Sequence, residues 1–185
     1  SCDLKNLNTD IYLILDTSAA MSSADFLAMR QDVYDFVSVF PIGMGQTQFG
    51  LITTYSDTQL FYTGINADNF DRAALLKTIS TVQQENGNGQ TITLSLQAIE
   101  NMYLKSSQAA KKLVVYFTGN TNFDSDPSAY LDTLYATYGL QAYAVKWTPN
   151  ASDAALNSFA GSTRCVTDGS LTGTRPDVNT DLELD

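Results

Sequence analysis

Two short runs of apolar residues constrain the fold of this chain more than any other sequence feature. Ile11–Leu15 and Leu113–Phe117 have the length of β-strands and are apolar on both faces. A strand of this kind has to be covered on both sides, as happens in parallel sheets that are flanked by helices. Neither run approaches the roughly 20 residues that cross a bilayer. Both runs therefore predict central strands of an α/β sheet.

Segments with helical periodicity separate these strands. The first predicted helix begins after an N-cap at Ser22 and ends near Pro41, and its apolar residues recur every three or four positions. A second helix is predicted from about residue 70 to 82, and a short one after Ser152. The pair Asp126-Pro127 marks a further helix start, with the acid at the N-cap. The helix predicted from about Thr93 is expected to bury Leu96, Ile99, Met102 and Tyr103.

The remaining strands complete a doubly wound pattern. β-branched and aromatic residues predict a hairpin over 49–54 and 59–63, and strands over 141–147 and 163–166. We predict an α/β fold with a doubly wound, mostly parallel six-stranded sheet, one antiparallel edge strand and helices on both faces. Residues 1–170 are expected to form this domain, and residues 171–185 an acidic tail or a final helix. Ligands of such open sheets bind at the carboxyl ends of the strands.

The composition excludes several classes of function. Among the 185 residues there is no histidine, which excludes Ser-His-Asp and Cys-His catalysis and any zinc site that needs imidazole. A metal would be held by oxygen, and would therefore be a hard cation. The net charge of -10 argues against nucleic acid as a partner and against anionic membranes. Because no matched pair of acids stands out, we expect no enzymatic activity.

Three polar segments are expected at the carboxyl edge of the sheet. Asp16-Thr17-Ser18-Ala19-Ala20 follows the first strand, Gly89-Gln90-Thr91-Ile92-Thr93 precedes the third helix, and Phe117-Thr118-Gly119-Asn120 ends the fourth strand. With the element order from Asp10 to about Ser170, these segments resemble the von Willebrand factor A domain, also called the integrin I-like domain. The resemblance implies this doubly wound fold and a role in extracellular protein contact.

The resemblance also implies a position for a metal site. In the family, these loops build a metal-ion-dependent adhesion site from Asp-x-Ser-x-Ser, a Thr of the second loop, and the Asp of a Thr-Asp-Gly sequence after the fourth strand. Carried over to this sequence, the ligand positions that match are Asp16, Ser18 and Thr91. An acidic residue of the partner would complete the coordination of the cation.

Two positions depart from the family pattern. The second serine is Ala20, and the aspartate falls on Thr118 if the glycine is matched, or on Gly119 if the threonine is matched. A hard cation needs six or more oxygens, and carboxylates supply most of the attraction. We therefore predict that Mg²⁺, Mn²⁺ or Ca²⁺ binds weakly or not at all. Asp16 also has an explanation without a cation, because its carboxylate can accept backbone N–H bonds in the turn after the strand.

A relocated cation site is the alternative that the local sequence offers. Residues 120–126 alternate oxygen-bearing side chains, and Asp124 or Asp126 would supply the charge. The segment lacks the glycine and the final glutamate of an EF-hand loop, since Leu131 stands at the twelfth position. Asp126 is better explained as the N-cap before Pro127.

Cysteine and glycosylation signals bear on the compartment. Cys2 and Cys165 are either free thiols of a cytosolic protein or a disulfide that joins the two ends of the domain, and cysteines near both ends recur in extracellular members of the family. The sequence Asn150-Ala151-Ser152 is an N-glycosylation acceptor. We predict an extracellular location, either secreted or on the ectodomain of a surface protein, within a larger multidomain protein.

The leading functional interpretation is a non-enzymatic, metal-independent adhesion or protein-interaction module without a required cofactor. Its partner would be an extracellular protein or a glycan-bearing ligand, bound through the loops at the carboxyl edge or through a side face. This interpretation rests on the family resemblance, since a fold alone does not define a function. The alternative is a cation-dependent adhesion or matrix-binding domain that uses Asp16, Ser18 and Thr91.

Overall fold

The computed structural model describes residues 8–42, 46–56, 58–62, 72–160 and 165–168, the segments 58–62 and 165–168 by their backbone alone. The elements are β1 (Thr9–Asp16), α1 (Ser23–Ser38), β2 (Thr47–Thr54), β3 (Thr58–Tyr62), α2 (Arg72–Thr81), α3 (Ile92–Ile99), a π-helical segment (Glu100–Leu104), β4 (Lys111–Thr118), α4 (Ser128–Tyr138), β5 (Leu140–Lys146), α5 (Asp153–Ala160) and β6 (Cys165–Asp168).

Strand β1 lies in the interior of the sheet and pairs in parallel with β2 on one side and β4 on the other. β5 continues the parallel pairing beside β4, and β6 pairs in parallel with β5. β3 pairs antiparallel with β2, so the strand order is β3-β2-β1-β4-β5-β6. The predicted α/β class with a parallel sheet is confirmed. The strand order reverses at β1, which places the topological switch point at the carboxyl end of that strand.

Alternate residues of the central strands face two separate hydrophobic layers. Leu13 and Phe117 pack with the buried faces of α1 and α2, whereas Tyr12 and Tyr116 pack with α3, α4 and α5. Burying a large apolar side chain contributes about 1.5–3 kcal/mol, so both layers stabilise the strands that carry the site. The stripe predicted for the first helix is confirmed, because its buried residues are Phe26, Met29, Val33, Phe36 and Val37.

The helix ends follow local capping chemistry. Ser22 caps α1, and its hydroxyl accepts a hydrogen bond of 3.1 Å from the backbone N–H of Asp25. Gly139 ends α4 at a φ of 72°, a left-handed conformation that glycine adopts without steric cost. α4 begins at Ser128, whose N–H donates to the carboxylate of Asp126 at 3.0 Å. The hydroxyl of Ser128 also donates to this carboxylate, and the hydrogen bonds from the hydroxyl and from the N–H lower the pKa of Asp126.

The third helix departs from its predicted burial at one position. Met102 is 49% exposed instead of buried, whereas Tyr103 and Leu104 are buried. The cause is the change from α-helix to π-helix at Glu100, because a π-helical turn holds more residues and rotates the following side chains. An expectation built on a constant period of 3.6 residues cannot include this rotation.

Three predictions lie outside the described residues. These are the acidic tail or final helix over 171–185, the position of Cys2, and the side chain of Cys165. In the part of the chain that is described, no helix is both long enough and apolar enough to cross a membrane.

Candidate functional site

Three loops meet at the carboxyl edge of the sheet, where the strand order reverses. They follow β1, precede α3 and follow β4. Backbone hydrogen bonds join them, since the N–H of Ala19 donates to Gly87 O at 2.8 Å and the N–H of Gln90 donates to Asn122 O at 2.8 Å. The segments that resemble the adhesion site are therefore brought together in space, as the sequence predicts.

Asp16 ends β1 at the centre of these loops and is 0% exposed. Its Oδ1 accepts two hydrogen bonds and its Oδ2 accepts three. The five donors are the backbone N–H of Ser18 (2.7 Å), the side-chain amide of Gln90 (2.8 Å), the hydroxyl of Thr118 (3.1 Å), the backbone N–H of Gly119 (2.9 Å) and the side-chain amide of Asn120 (3.1 Å). All five are neutral groups, so hydrogen bonds compensate the carboxylate without an opposite charge.

Burial and hydrogen bonding act on Asp16 in opposite directions. Burial raises its pKa, because removal from water disfavours the charged form. Hydrogen bonds from Ser18, Gly119 and Thr118 oppose this change, and burial is the larger effect. Burial therefore destabilises the ionised form of Asp16, and the surrounding hydrogen-bond donors offset part of that destabilisation.

Asn120 is a site residue that the sequence interpretation considered only as an oxygen-bearing side chain of the relocated cation segment 120–126, and not as a partner of Asp16. It follows β4, is 3% exposed, and directs its Nδ2 at Ser18 Oγ (2.8 Å) as well as at Asp16 Oδ2 (3.1 Å). Its Oδ1 accepts a hydrogen bond of 2.9 Å from the N–H of Asn122. Its position could have indicated this role, because Asn120 directly follows Thr118 and Gly119, the two residues with which the aspartate of the family pattern could be aligned.

Gln90 is a second residue that the sequence interpretation missed. It lies between Gly89 and Thr91 in the second loop, at a position to which the family pattern assigns no metal ligand. Its side-chain amide is buried, with Nε2 donating to Asp16 Oδ1 at 2.8 Å and Oε1 accepting from the Tyr116 hydroxyl at 2.6 Å. Burial raises the pKa of Tyr116, and the charge of Asp16 raises it further. Tyr116 is thus held as a neutral donor to Gln90.

Thr91 lies at the same edge, but its described contacts lead to the neighbouring strand. Its Oγ1 lies 3.2 Å from Thr54 Oγ1, and its N–H donates to that same oxygen at 3.0 Å. The contact between these two hydroxyl groups joins the loop before α3 to the end of β2. Of the three predicted ligands, Asp16 and Ser18 thus share the Asn120 amide, while the hydroxyl of Thr91 pairs with Thr54.

The departing positions have distinct surroundings. Ala20 is half-buried, and its N–H donates to Ser18 Oγ at 3.4 Å. Thr118 contacts Asp16 directly through its hydroxyl. A side chain at Gly119 would begin 3.0 Å from Met21 Cβ and 3.2 Å from Thr148 Cγ2, which is tighter than ordinary van der Waals contact. An aspartate at position 119 would therefore require its neighbours to move.

This donor set does not fit a divalent cation. Asp16 is the only acid matched to the site, and the described residues contain no group of three or more His, Cys, Asp or Glu that could hold a metal. Ser18 Oγ and both oxygens of Asp16 already accept N–H or O–H donors. A cation needs lone pairs of the same oxygens and six or more ligands in all.

The two acids considered for a relocated site serve as hydrogen-bond acceptors at helix starts. Asp124 Oδ1 accepts from the N–H of Thr93 at 3.4 Å, in the first turn of α3. Asp126 Oδ1 accepts the N–H and the hydroxyl of Ser128 before α4. Both acids are exposed. The N-cap of α4 is Pro127, one residue later than predicted, so Asp126 precedes the N-cap and accepts from Ser128, the first residue of the helix.

The predicted glycosylation position lies at the same edge of the sheet. Asn150 is exposed in the turn that follows β5, and its N–H donates to Thr148 Oγ1 at 3.2 Å. The hydroxyl of Thr148 donates to Gly119 O, and the N–H of Ser152 donates to Thr121 Oγ1 at 3.0 Å. These contacts hold the turn with Asn150 against the loop that follows β4.

Comparison with known proteins agrees with this geometry. The sequence pattern of the von Willebrand factor type A domain matches residues 10–175. The collagen alpha-4(VI) chain of Mus musculus is 27% identical over 141 residues, which are 74% of this chain and 6% of that protein. The chain thus spans a small fraction of that relative.

Solved structures with a similar fold include proximal thread matrix protein 1 from the mussel byssus. One crystal form superposes with a TM-score of 0.75 at 16% identity over 99% of this chain and 46% of that one. A structure of the same protein with a zinc-occupied MIDAS motif, the metal-ion-dependent adhesion site, gives a TM-score of 0.76 at 17% identity and the same coverage. This chain therefore spans less than half of that protein.

Proposed function

The chain belongs to the von Willebrand factor type A domain family, and from this premise we propose that it is an extracellular, non-enzymatic adhesion module that binds its partner without a cation. The partner is an extracellular protein or a glycan-bearing ligand. The names of two similar proteins, a collagen chain and a byssal matrix protein, support an extracellular matrix setting. The chain spans 6% of the collagen chain and 46% of the byssal protein, which supports the proposal that it is one domain of a larger protein.

One observation carries the proposal of metal independence. Both oxygens of Asp16 are saturated by five neutral donors, so the central acid of the site is compensated before any cation binds. A cation would have to displace at least the donors of Oδ2 and would find Ala20 where the second serine oxygen was expected. Partner contact therefore falls to the exposed residues of the surrounding loops.

A second candidate function is cation-dependent adhesion through Asp16, Ser18 and Thr91. The zinc-occupied MIDAS motif of the mussel byssus protein favours it, because that protein has a similar fold. In this alternative the amide of Asn120 would turn away and free Ser18 Oγ for the metal. Partner binding would then require Mg²⁺, Mn²⁺ or Zn²⁺.

Binding to extracellular matrix should be the same with and without divalent cations. The measurement is saturable binding of the purified domain to immobilised, decellularised matrix and to purified collagen fibrils, in excess EDTA and in millimolar Mg²⁺ or Mn²⁺. We expect equal half-saturation in all buffers, because no step of the proposed contact uses a metal. Binding that disappears in EDTA and returns with the cation would establish the alternative instead.

Two matched variants locate the contact surface. Leu94 lies in the first turn of α3 at the carboxyl edge and is 50% exposed, whereas Val39 follows α1 at the opposite edge and is 56% exposed. An exposed apolar side chain on a loop surface is a common anchor for a partner. Leu94→Asp should weaken matrix binding about tenfold or more, which is roughly 1.4 kcal/mol, and Val39→Asp should leave it unchanged. The reverse ranking would move the contact away from the carboxyl edge.

The predicted disulfide between Cys2 and Cys165 provides an independent check on the compartment. Intact mass should rise by two hydrogens when the purified protein is reduced, because one S–S bond becomes two thiols. The control is alkylation of the native protein without reductant, which should add no label. Labelling of both cysteines under these conditions would contradict the disulfide and weaken the extracellular assignment.

A further inference from the structure

We infer that the side-chain amide of Asn120 takes the structural place of a cation in this domain, so that neutral hydrogen bonds hold the site loops together. A metal ion in a site of this kind would join oxygens from separate loops. Asn120 joins two segments by a different bond, because its nitrogen, in the loop after β4, donates to Asp16 Oδ2 at the end of β1 and to Ser18 Oγ in the loop that follows β1. The inference goes beyond the proposed function, because it holds whichever partner the domain contacts.

The geometry of the Asn120 amide excludes simultaneous binding of an ion. Nδ2 carries two hydrogens, and it lies 3.1 Å from Asp16 Oδ2 and 2.8 Å from Ser18 Oγ. A divalent cation bound to the same two oxygens would stand about 2.0–2.6 Å from each. The amide nitrogen occupies that space. Ser18 also accepts the N–H of Ala20, at 3.4 Å, so its oxygen is engaged on two sides.

The orientation of the amide follows from its surroundings. Oδ1 of Asn120 accepts the N–H of Asn122 at 2.9 Å, which requires an oxygen at that position. A flipped amide would bring two acceptors face to face at Asp16 Oδ2 and two donors together at Asn122. The backbone is fixed as well, since the N–H of Asn120 donates to Thr118 Oγ1 at 3.1 Å. The single hydrogen of that hydroxyl is shared between the Asn120 carbonyl oxygen, at 2.5 Å, and Asp16 Oδ2, at 3.1 Å.

The test compares the wild type with Ala20→Ser, with Asn120→Asp and with the double variant, by thermal unfolding in excess EDTA and in millimolar Mn²⁺. Wild type and Ala20→Ser should unfold at the same temperature in both buffers, because the amide still occupies the site. Asn120→Asp removes two N–H donors and adds a carboxylate beside Asp16. We expect its Tm in EDTA to fall by about 5–10 °C and to recover partly in Mn²⁺, with a larger recovery in the double variant.

Asn122→Asp is the matched control, since it makes the same chemical change two residues along the same loop. The Asn122 side chain is exposed, and its Nδ2 makes a hydrogen bond of 3.3 Å to Asn88 O. Its Tm should stay within about 2 °C of the wild type and should not respond to Mn²⁺. If Asn120→Asp does not fold in EDTA, Asn120→Ala replaces it, with an expected fall of about 5 °C and no response to Mn²⁺.

Several outcomes would overturn the inference. A rise in the Tm of the wild type on adding Mn²⁺, or heat of cation binding by calorimetry, would show that an ion enters despite the amide. Equal effects of the changes at Asn120 and Asn122 would show that the amide does not hold the loops. The unfolding experiments contain no binding partner, so they test this inference separately from the proposed function. If the wild type binds a cation but still binds matrix in EDTA, only this inference is contradicted. Failed matrix binding would contradict the proposed function alone.

Discussion

Replacing Asp16 with alanine should lower the free energy of unfolding by about 3–5 kcal/mol, with or without divalent cations. The change removes the acceptor that five donors from three loops share in a site that water does not reach. The hydroxyl of Thr118 keeps Asn120 O as an acceptor and the amide of Gln90 keeps Gly89 O, so the loss falls mainly on the other donors. Each unsatisfied buried donor costs about 1–3 kcal/mol, and relaxation of the loops recovers part of the sum. The measurement is urea unfolding followed by the fluorescence of Trp147, the single tryptophan, which is buried.

Asp124→Ala is the control for Asp16→Ala. Its carboxylate is exposed and accepts one long hydrogen bond, from the N–H of Thr93. Its free energy of unfolding should stay within about 0.5 kcal/mol of the wild type. A loss of less than about 1 kcal/mol for Asp16→Ala would mean that the five donors find other partners, and that Asp16 does not organise the site.

This expectation changes how an alanine variant of Asp16 can be interpreted. In a cation-dependent adhesion site, lost partner binding after Asp16→Ala would be assigned to the lost metal ligand. Here the same variant disrupts the loops that would contact the partner, so lost binding carries no information about a metal. Changes at Ala20 and Asn120 test the metal directly, because they alter the ligand set and leave the central carboxylate in place.

The sequence predicted the scaffold because its signals are local or periodic. The apolar runs of β1 and β4 require cover on both faces, and the stripe of α1 supplies part of that cover. Ser22 and Gly139 act through their own turns, so their roles follow from a few neighbouring residues. The family pattern then placed Asp16 and Ser18 at the edge where the strand order reverses.

The network around Asp16 could not be predicted in the same way. Its amide donors, Gln90 and Asn120, lie 74 and 104 positions along the chain from Asp16. No periodicity or spacing connects residues so far apart, and an amide inside a loop has the same sequence signature whether it is solvated or buried. The family pattern directed attention to the missing acid and serine, and away from the side chains that compensate for them.

Gln90→Glu should have an effect as large as that of Asp16→Ala, although it exchanges only an amide NH₂ for an oxygen. Nε2 of Gln90 lies 2.8 Å from Asp16 Oδ1 inside the buried site. The substitution replaces this hydrogen bond with repulsion between two carboxylates, which cannot both be ionised at such a distance out of water. At neutral pH we expect the free energy of unfolding to fall by about 3–5 kcal/mol, measured by urea unfolding as for Asp16→Ala.

Gln31→Glu is the matched control on the protein surface. Nε2 of Gln31 donates to Asp35 Oδ1 at 3.0 Å, which is the same bond between an amide and a carboxylate, one helical turn apart on an exposed face of α1. Like charges four residues apart on a helix cost a few tenths of a kcal/mol in water, about 0.2–0.5. A similar loss for both glutamate variants would mean that the site around Asp16 is open to solvent.

Acidification should then restore part of the stability of Gln90→Glu. Burial already raises the pKa of Asp16, and a second carboxylate raises the pKa of the pair further. In the unfolded chain both groups titrate near their ordinary values of about 4. Between those values and the raised pKa, the folded state binds more protons than the unfolded state, so stability increases as the pH falls through the folded pKa.

The stability difference between Gln90→Glu and wild type should therefore shrink from neutral pH to about pH 4.5, whereas that of Gln31→Glu should change little. A difference for Gln90→Glu that does not vary with pH would assign the effect to the lost amide donor, without charge repulsion.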